Sequence, residues 1–212
     1  MAIQVVKEIS EYRQNLKSLI LAEAKKRFCE QGVKSARMDD IAKGLKISKR
    51  TIYEIYSNKE DLLIAIIKEG YAEHLKELDA FASNSSDVMD IMLEVFRLQM
   101  ENIVQIHPNF IYDIHKYPKA LDTLRELEQQ RSAGAKSFFE KGVTEGYFLD
   151  TIDFVVFVNI MTSITETMRE LVYKGVHTYK EILSNYIVVM VRGVCTQKGI
   201  QRMDTFLENQ KL

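Results

Sequence analysis

The sequence predicts an all-α protein, in which a small N-terminal helical domain precedes a larger helical domain. Apolar residues recur at helical spacing, and 212 residues include only two prolines and nine glycines, so helix-ending residues are scarce. Charge is divided along the chain: residues 1–60 hold 13 Lys/Arg and 8 Asp/Glu, and the remainder holds 16 and 22. A basic N-terminal region before an acidic remainder is typical of a protein that meets a polyanion with one end.

Several function classes are disfavoured by the same sequence. Cys29 and Cys195 stand alone, without the paired spacing of a disulfide or metal site, so we expect no metal and no cofactor. The N-terminus lacks a signal peptide, and the longest apolar runs, at 154–158 and 187–191, are far shorter than the ~18 residues that span a bilayer. We therefore expect a cytoplasmic, nucleoid-associated protein without a membrane partner.

The first predicted helix runs from Ser10 to Gln31. Apolar residues at every fourth position form one stripe along it: Leu16, Ile20, Ala24 and Phe28. Gly32 follows as the residue that ends the helix.

Two short helices follow with a tight turn between them. The second helix covers about Met38–Leu45, with Asp39 and Asp40 in its first turn, where the helix dipole favours anions. After the turn, Ser48 is a good N-cap for a third helix over about Lys49–Tyr56. Two short helices joined in this way predict a helix-turn-helix.

The third helix has two chemically different faces. Ile52, Ile55 and Tyr56 share the spacing of a core-facing side. Its opposite side carries Lys49, Arg50 and Tyr53 near the N-terminus, where recognition helices read the major groove. The alternative from spacing alone is that both cations only keep an ordinary surface helix hydrated.

The rest of the chain is predicted to be helical. Asn58 can cap a fourth helix that starts at Lys59. The predicted helices are Lys59–Ala82, Asp87–Ile106, a short irregular helix at Asn109–Tyr117, Lys119–Thr144, Ile152–Tyr173, Tyr179–Thr196 and a polar terminal helix.

The stretch from Ile20 to Leu63 resembles the DNA-binding domain of the TetR family of regulators. The resemblance lies in four blocks whose order, spacing and residue types agree: Phe28–Gly32, Met38–Ala42, Ile47–Tyr53 and Tyr56–Leu62. It implies a DNA-binding domain at 1–58 and a ligand-binding and dimerisation domain at 59–212. It also implies DNA contacts for five residues: Lys49, Arg50, Thr51, Tyr53 and Lys59.

Three sites depart from the family pattern. Ala36 and Arg37 replace a Thr pair that often caps the second helix or touches phosphate, so Arg37 is either a phosphate contact in their place or an ordinary solvated arginine. Lys46 stands where many members have the turn glycine, so either it adopts a left-handed backbone at some cost or the turn differs. Glu54 would repel phosphate unless it accepts a hydrogen bond from cytosine or pairs with Arg50, and we favour the pair with Arg50.

The predicted second domain carries candidates for dimerisation and for ligand binding. Helices 152–173 and 179–196 have more apolar residues than one core stripe needs, and the surplus is assigned to a homodimer interface. The interface candidates are Phe154, Phe157, Met161, Ile164, Met168, Tyr186, Val189, Met190 and Val194. The ligand-pocket candidates lie around the two prolines and are Met100, His107, Phe110, Tyr112, His115 and Tyr117.

No catalytic motif is present, and no enzyme activity is expected. The resemblance to the TetR family implies a DNA-binding regulator, and repression is the commonest role in that family. We therefore expect a ligand-responsive repressor that binds a pseudo-palindromic double-stranded DNA operator as a homodimer and responds to a small-molecule effector. Two alternatives remain, a helical adaptor that binds an acidic protein partner and an all-helical enzyme.

Overall fold

The computed structural model describes residues 2–84, 87–105 and 108–209, and most of them are helical. The helices are α1 (Ala2–Gln31), α2 (Met38–Gly44), α3 (Lys49–Ile55), α4 (Lys59–Asn84), α5 (Val88–Gln105), α6 (Pro108–Ile114), α7 (Pro118–Ala133), α8 (Ala135–Thr144), α9 (Phe154–Tyr173), α10 (Tyr179–Ile182), α11 (Val188–Gly193) and α12 (Gln197–Asn209). A π-helical segment, Leu183–Ile187, connects α10 to α11. Within these described ranges the only β pairing is one isolated bridge between Phe148 and Cys195, so the all-α prediction is confirmed.

The helices form two compact units. The first unit contains the described residues up to Gly70 together with those from 108 to Thr123. The second unit contains Tyr71–Gln105 and the described residues from Leu124 onward. Gly70 lies inside α4, whereas the predicted domain boundary, between residues 58 and 59, lies at the start of that helix and stays a prediction.

The first unit is built on the predicted apolar stripe of α1. All four stripe residues are buried, and Ile20, Ala24 and Phe28 have no exposed surface. The core also contains the fully buried Ile41, Ile52, Leu62 and Leu63 from α2, α3 and α4. Gly32 ends α1 as predicted, in a left-handed conformation with φ of 82°.

Aromatic rings form the centre of the second unit. Phe139 stacks on Phe154 with ring centroids 4.7 Å apart and lies 5.0 Å from Phe148. Gly142 makes this packing possible, because a Cβ atom there would lie 2.2 Å from the Phe148 ring. A larger residue at this position would displace the ring.

Several helix boundaries differ from the predicted ones. The first helix begins at Ala2 rather than Ser10. The predicted helix over 119–144 is divided at Gly134 into α7 and α8, consistent with the poor helix propensity of glycine. The predicted helix over 179–196 ends at Gly193, because residues 194–196 bond to the turn after α8 instead: Leu149 N–H donates to the Val194 carbonyl, and Thr196 N–H to the Tyr147 carbonyl, at 2.9 Å each.

None of the described helices contains a stretch that is both long enough and apolar enough to cross a bilayer. Both cysteines are free thiols, and burial raises the pKa of the Cys195 thiol to about 11.

Candidate nucleic-acid interface and ligand site

A tight turn at Lys46 joins α2 to α3. Lys46 has a φ of 55°, so it adopts the left-handed conformation that glycine usually supplies at such turns. Its N–H donates to the Lys43 carbonyl at 3.1 Å, and the N–H of Ile47 donates to the Ala42 carbonyl at 3.0 Å. Of the two alternatives for this turn, the left-handed lysine is therefore the correct one.

The position of α3 is fixed by its cap and by its buried side. Ser48 is the N-cap, as predicted, and its hydroxyl accepts the N–H of Thr51 at 3.1 Å. Ile52 is fully buried, and Tyr56 is buried at the end of the helix. Lys49, Arg50 and Tyr53 are exposed, so the predicted outward face is present at the beginning of the helix.

Both cations of this face pair with carboxylates. Arg50 Nε donates to Glu54 Oε1 at 2.7 Å, which confirms the predicted pair, and Lys49 Nζ contacts Asp39 Oδ2 from α2. The hydrogen bond to Asp39 raises the pKa of Lys49, and the bond to Glu54 raises that of Arg50. Since exposed pairs of this kind contribute little free energy, both cations can exchange their carboxylates for DNA groups.

Lys59 and Arg37 are placed differently from the residues of α3. Lys59 Nζ donates to the carbonyls of Val33 and Lys34, at 2.8 and 3.1 Å, so one of its three N–H groups remains for a phosphate. Burial lowers the pKa of Lys59, although the Asp113 carboxylate opposes this effect. Arg37 is exposed at the N-cap position of α2 and makes no capping hydrogen bond.

Two exposed lysines beside these residues were not among the predicted contacts. Lys43 and Lys46 lie at the end of α2 and in the turn, and neither is paired within the described part of the chain. The signal was present in the local charge, since residues 37–59 hold six Lys/Arg and only three Asp/Glu. The left-handed geometry that exposes Lys46 could not be decided from residue type alone.

The six ligand-pocket candidates fall in different parts of the structure. Met100 is half-buried on α5 in the second unit. Phe110, Tyr112, His115 and Tyr117 belong to the first unit, where Tyr112 is exposed and the other three are half-buried. His107 lies outside the described residues. Their role in ligand binding stays a prediction.

Two cavities of the second unit are lined by other residues. One is an open cleft beside α8 that is partly lined by charged residues, including Lys136 and Glu140. The other has a volume of about 440 Å³ and lies between α9 and the α10–π segment. The residues lining this second cavity are Ile164, Thr167, Met168, Leu171, His177, Glu181, Ile182, Asn185 and Tyr186.

The nine interface candidates divide into core and surface residues. Phe154, Phe157, Met168 and Val194 are buried within the single chain, so they form the core of their own unit. Met161, Ile164, Tyr186 and Met190 are half-buried, and Val189 is exposed.

Three exposed apolar residues of α9 were missed by the sequence argument. Val155, Val156 and Ile160 expose 47, 52 and 46% of their surface, and Val189 exposes 65%. The sequence shows that some apolar residues of these helices have to be exposed. Which residues are exposed depends on how the helices pack. Whether these residues or the predicted ones form an interface stays open to test.

Comparison with known proteins agrees with this helix-turn-helix. Residues 20–66 match the sequence profile described as bacterial regulatory proteins, tetR family. An HTH-type transcriptional regulator of Bacillus subtilis, YvaF, is 28% identical over 99 residues, which are 46% of this chain. The match spans only about half, 52%, of that relative's length.

Solved structures share the fold over most of the chain. FadR from Bacillus subtilis, in complex with stearoyl-CoA, has a TM-score of 0.60 at 16% identity and covers 84% of this chain and 98% of its own. A transcriptional regulator from Saccharomonospora viridis, in complex with choline, has a TM-score of 0.62 at 16% identity and covers 92 and 96%. With the geometry of α2 and α3, the profile match leads to one conclusion: residues 20–66 form a helix-turn-helix domain of the tetR family of bacterial regulatory proteins.

Proposed function

We propose that this protein is a ligand-responsive repressor that binds a double-stranded DNA operator as a homodimer. The observation that carries the proposal is the exposed face of α3, where Lys49, Arg50 and Tyr53 stand on a helix anchored by the fully buried Ile52. A short helix with cations at its exposed N-terminal turn fits the major groove, where arginine binds guanine O6 and N7 with both ends of its guanidinium fork.

Each proposed DNA contact follows from the local geometry. Arg50 reads a base after releasing Glu54, and Lys49 binds a base or a flanking phosphate after releasing Asp39. Thr51 and Tyr53 supply hydroxyl groups to phosphates, and the remaining N–H of Lys59 binds another phosphate. Arg37, with Lys43 and Lys46, extends the basic surface along the phosphate backbone of the DNA.

The direct test of DNA recognition is selection of bound duplexes from a random pool by the purified chain. We expect an enriched pseudo-palindrome, because a symmetric dimer places two copies of α3 about 34–36 Å apart. Replacing Lys49 and Arg50 together with Ala should abolish the enrichment, whereas Lys76→Ala, an exposed lysine of the second unit, should leave it unchanged. Equal retention of all duplexes, or enrichment that survives the double replacement, would reject the proposal.

The proposed partner in the dimer is a second copy of this chain. Val155, Val156 and Ile160 are exposed apolar residues of α9 that flank the exposed Asn159, and together they are called the α9 strip. Val189 adds to the exposed apolar surface on α11. An isologous interface covers the same strip in both copies, which removes apolar surface from water in each. Sedimentation of the purified chain as a monomer at micromolar concentration would contradict this part.

The proposed effector site is the cavity between α9 and the α10–π segment. Ile164, Met168 and Leu171 give it an apolar wall, and Tyr186 brings a hydroxyl that makes no hydrogen bond within the described residues. We therefore expect an apolar or aromatic small molecule with one or two hydrogen-bonding groups. The ligands of the two solved neighbours, stearoyl-CoA and choline, show that this fold accommodates small molecules of different chemistry.

An effector has to favour the DNA-free state, since a ligand of equal affinity for both states shifts nothing. A screen of apolar compounds should find one that raises the melting temperature and releases the selected operator. Met168→Trp should remove both effects by filling the cavity, while Leu75→Trp, at an exposed site on α4, should keep both. A compound that stabilises the protein without changing operator affinity would place the regulatory site elsewhere.

A further inference from the structure

The segment from α6 to the beginning of α7 is part of the same compact unit as the helix-turn-helix, although 37 residues of sequence separate Gly70 from Pro108. Its attachment depends on Asp113, which is 4% exposed and is the one buried acidic side chain among the described residues. Asp113 Oδ2 accepts the backbone N–H of Lys34 at 2.6 Å. The other oxygen, Oδ1, accepts Lys116 Nζ at 2.9 Å.

Lys59 binds the same peptide group from its other end. The N–H that Asp113 accepts and the Val33 carbonyl that Lys59 Nζ binds at 2.8 Å belong to one peptide unit, between Val33 and Lys34. A peptide polarised by a carboxylate at its N–H becomes a better acceptor at its carbonyl, so the two bonds strengthen each other. The orientation of this peptide therefore determines where the Lys59 ammonium lies.

Close backbone approach makes this arrangement possible. A Cβ atom on Gly32 would lie 2.8 Å from Asn109 Cβ and 3.0 Å from Asp113 Oδ2, so a side chain there would push α6 away. A second attachment lies at the start of α4, where Glu60 Oε1 accepts the N–H of Lys119 at 2.8 Å. The first two residues of α4 are thus tied to the α1–α2 connection and to the start of α7.

We infer that Asp113 is a positioning residue for DNA binding, which sets the place of the Lys59 ammonium through the Val33–Lys34 peptide without touching DNA itself. The inference rests on the proposed function, because it assigns Lys59 to a phosphate of the operator. It also makes the functional DNA-binding unit discontinuous in sequence, with α6 as one of its required parts.

The test compares two replacements of Asp113 in the full-length chain. Asp113→Ala removes both hydrogen bonds and should weaken affinity for the selected operator about tenfold. Asp113→Asn keeps an oxygen that can accept the Lys34 N–H and should stay within about threefold of the parent. Asp79→Ala, which removes an exposed carboxylate of α4, should leave affinity unchanged.

A second arm separates positioning from general stability. In a Lys59→Met background, Asp113→Ala should cost less than about twofold, because its effect passes through Lys59. A full tenfold loss in that background, equal losses for Asp113→Ala and Asp113→Asn, or parental affinity of a folded Asp113→Ala chain would each overturn the inference.

Amide hydrogen exchange provides a readout without DNA. The Lys34 amide should be protected in the parent and in Asp113→Asn, and should lose protection in Asp113→Ala. If the alanine variant does not fold, the asparagine variant decides, because operator affinity has to follow the protection of the Lys34 amide. The inference is overturned by a variant that keeps the Lys34 amide protected but binds the operator more weakly. It is equally overturned by a variant that loses this protection but binds the operator as tightly as the parent. Failure of the parent to select any operator counts against the proposed function instead, and the exchange comparison still judges the Asp113 contact.

Discussion

Helix α3 in the first unit and helix α9 in the second unit each bury one side in their own unit and expose the other. The buried sides are alike, with Ile52 on α3 and the Phe154 and Phe157 rings on α9. The exposed side of α3 is cationic, with Lys49 and Arg50. The exposed side of α9 carries two valines and an isoleucine in its first two turns, beside polar residues such as Asn159. A cationic face is stable in water and can bind and release a partner, but an apolar strip gains free energy only while it is covered. The difference indicates a reversible contact on α3 and a lasting one on α9.

The largest effect is expected from a charge on the exposed strip of α9. Ile160→Glu should convert the proposed dimer to a monomer and reduce operator affinity by about a hundredfold or more, because a buried unpaired carboxylate is costly and a monomer binds only one half-site. Sedimentation equilibrium and operator titration measure the two losses. The matched control is Val176→Glu, which adds the same charge at an exposed valine outside α9 and should keep the dimer. A dimeric Ile160→Glu chain would show that this strip is not the interface.

A smaller effect is expected from the cationic side of α3. Arg50→Ala should cost about 1–3 kcal/mol of operator affinity and relax selectivity at one base pair. Glu54→Gln should act in the opposite direction, because it releases Arg50 from its ion pair and removes a negative charge near the phosphates. Titrations against the operator and its single-base variants test both replacements. A loss in Arg50→Ala that is the same for every sequence would reassign Arg50 to a phosphate.

Two buried tyrosines, one in each unit, differ in the hydrogen bonding of their hydroxyl groups. Each is 5% exposed, but the hydroxyl of Tyr147 donates to Asp87 Oδ2 at 2.7 Å, whereas that of Tyr56 has no hydrogen-bond partner within the described residues. Tyr147→Phe should therefore lower the free energy of unfolding by about 1–2 kcal/mol, and Tyr56→Phe should leave it unchanged or raise it by up to about 1 kcal/mol. Denaturant unfolding of both variants decides the point. Equal destabilisation would show that Tyr56 has a partner, such as a water molecule.

The smallest expected effect is on the pH dependence of stability, and it concerns His74 in the second unit. Burial lowers the pKa of His74 below its ordinary value of 6.5, and the nearby Arg131 adds to this shift, while Glu77 opposes it. The unfolded state then binds more protons than the folded state as pH falls below 6.5, so stability decreases with acidification in that window. His74→Gln should flatten the decline of melting temperature between about pH 5 and 7 by a few degrees at most. A parent whose melting temperature does not change over this range would contradict the shift.

The first unit was predictable from the sequence to a larger extent than the second. The α1 stripe, the Ser48 cap and the Arg50–Glu54 pair all depend on residues close together in the chain, so their spacing carries the information. The contact of Asp113 with Lys34 joins residues 79 apart, so the spacing of residues along the sequence does not predict it. The apolar surplus of α9 was visible, but it did not show that Phe154 and Phe157 belong inside and Val155 and Val156 outside.

The irregular parts of the second unit have a similar explanation. The π-helical segment Leu183–Ile187 differs from the α-helix on either side in its backbone hydrogen bonds, which join residues five apart instead of four. Its residue types are ordinary for a helix. The end of α11 depends on bonds between residues 194–196 and the turn after α8, which sequence spacing does not report. The end of α11 therefore arises from tertiary contacts that outweigh local propensity.

The return of the chain at 108–123 to the first unit bears on the construction of chimaeric regulators. A domain exchange that joins one regulator's first 70 residues to another's remainder looks natural from the sequence alone. Such a hybrid would pack a foreign α6 against the transplanted Gly32 and Lys34. Its affinity for the operator would then depend on whether the foreign helix has a carboxylate at the position of Asp113. An exchange with two grafted segments, up to residue 70 and from 108 to 123, keeps that contact native, at the cost of two additional junctions.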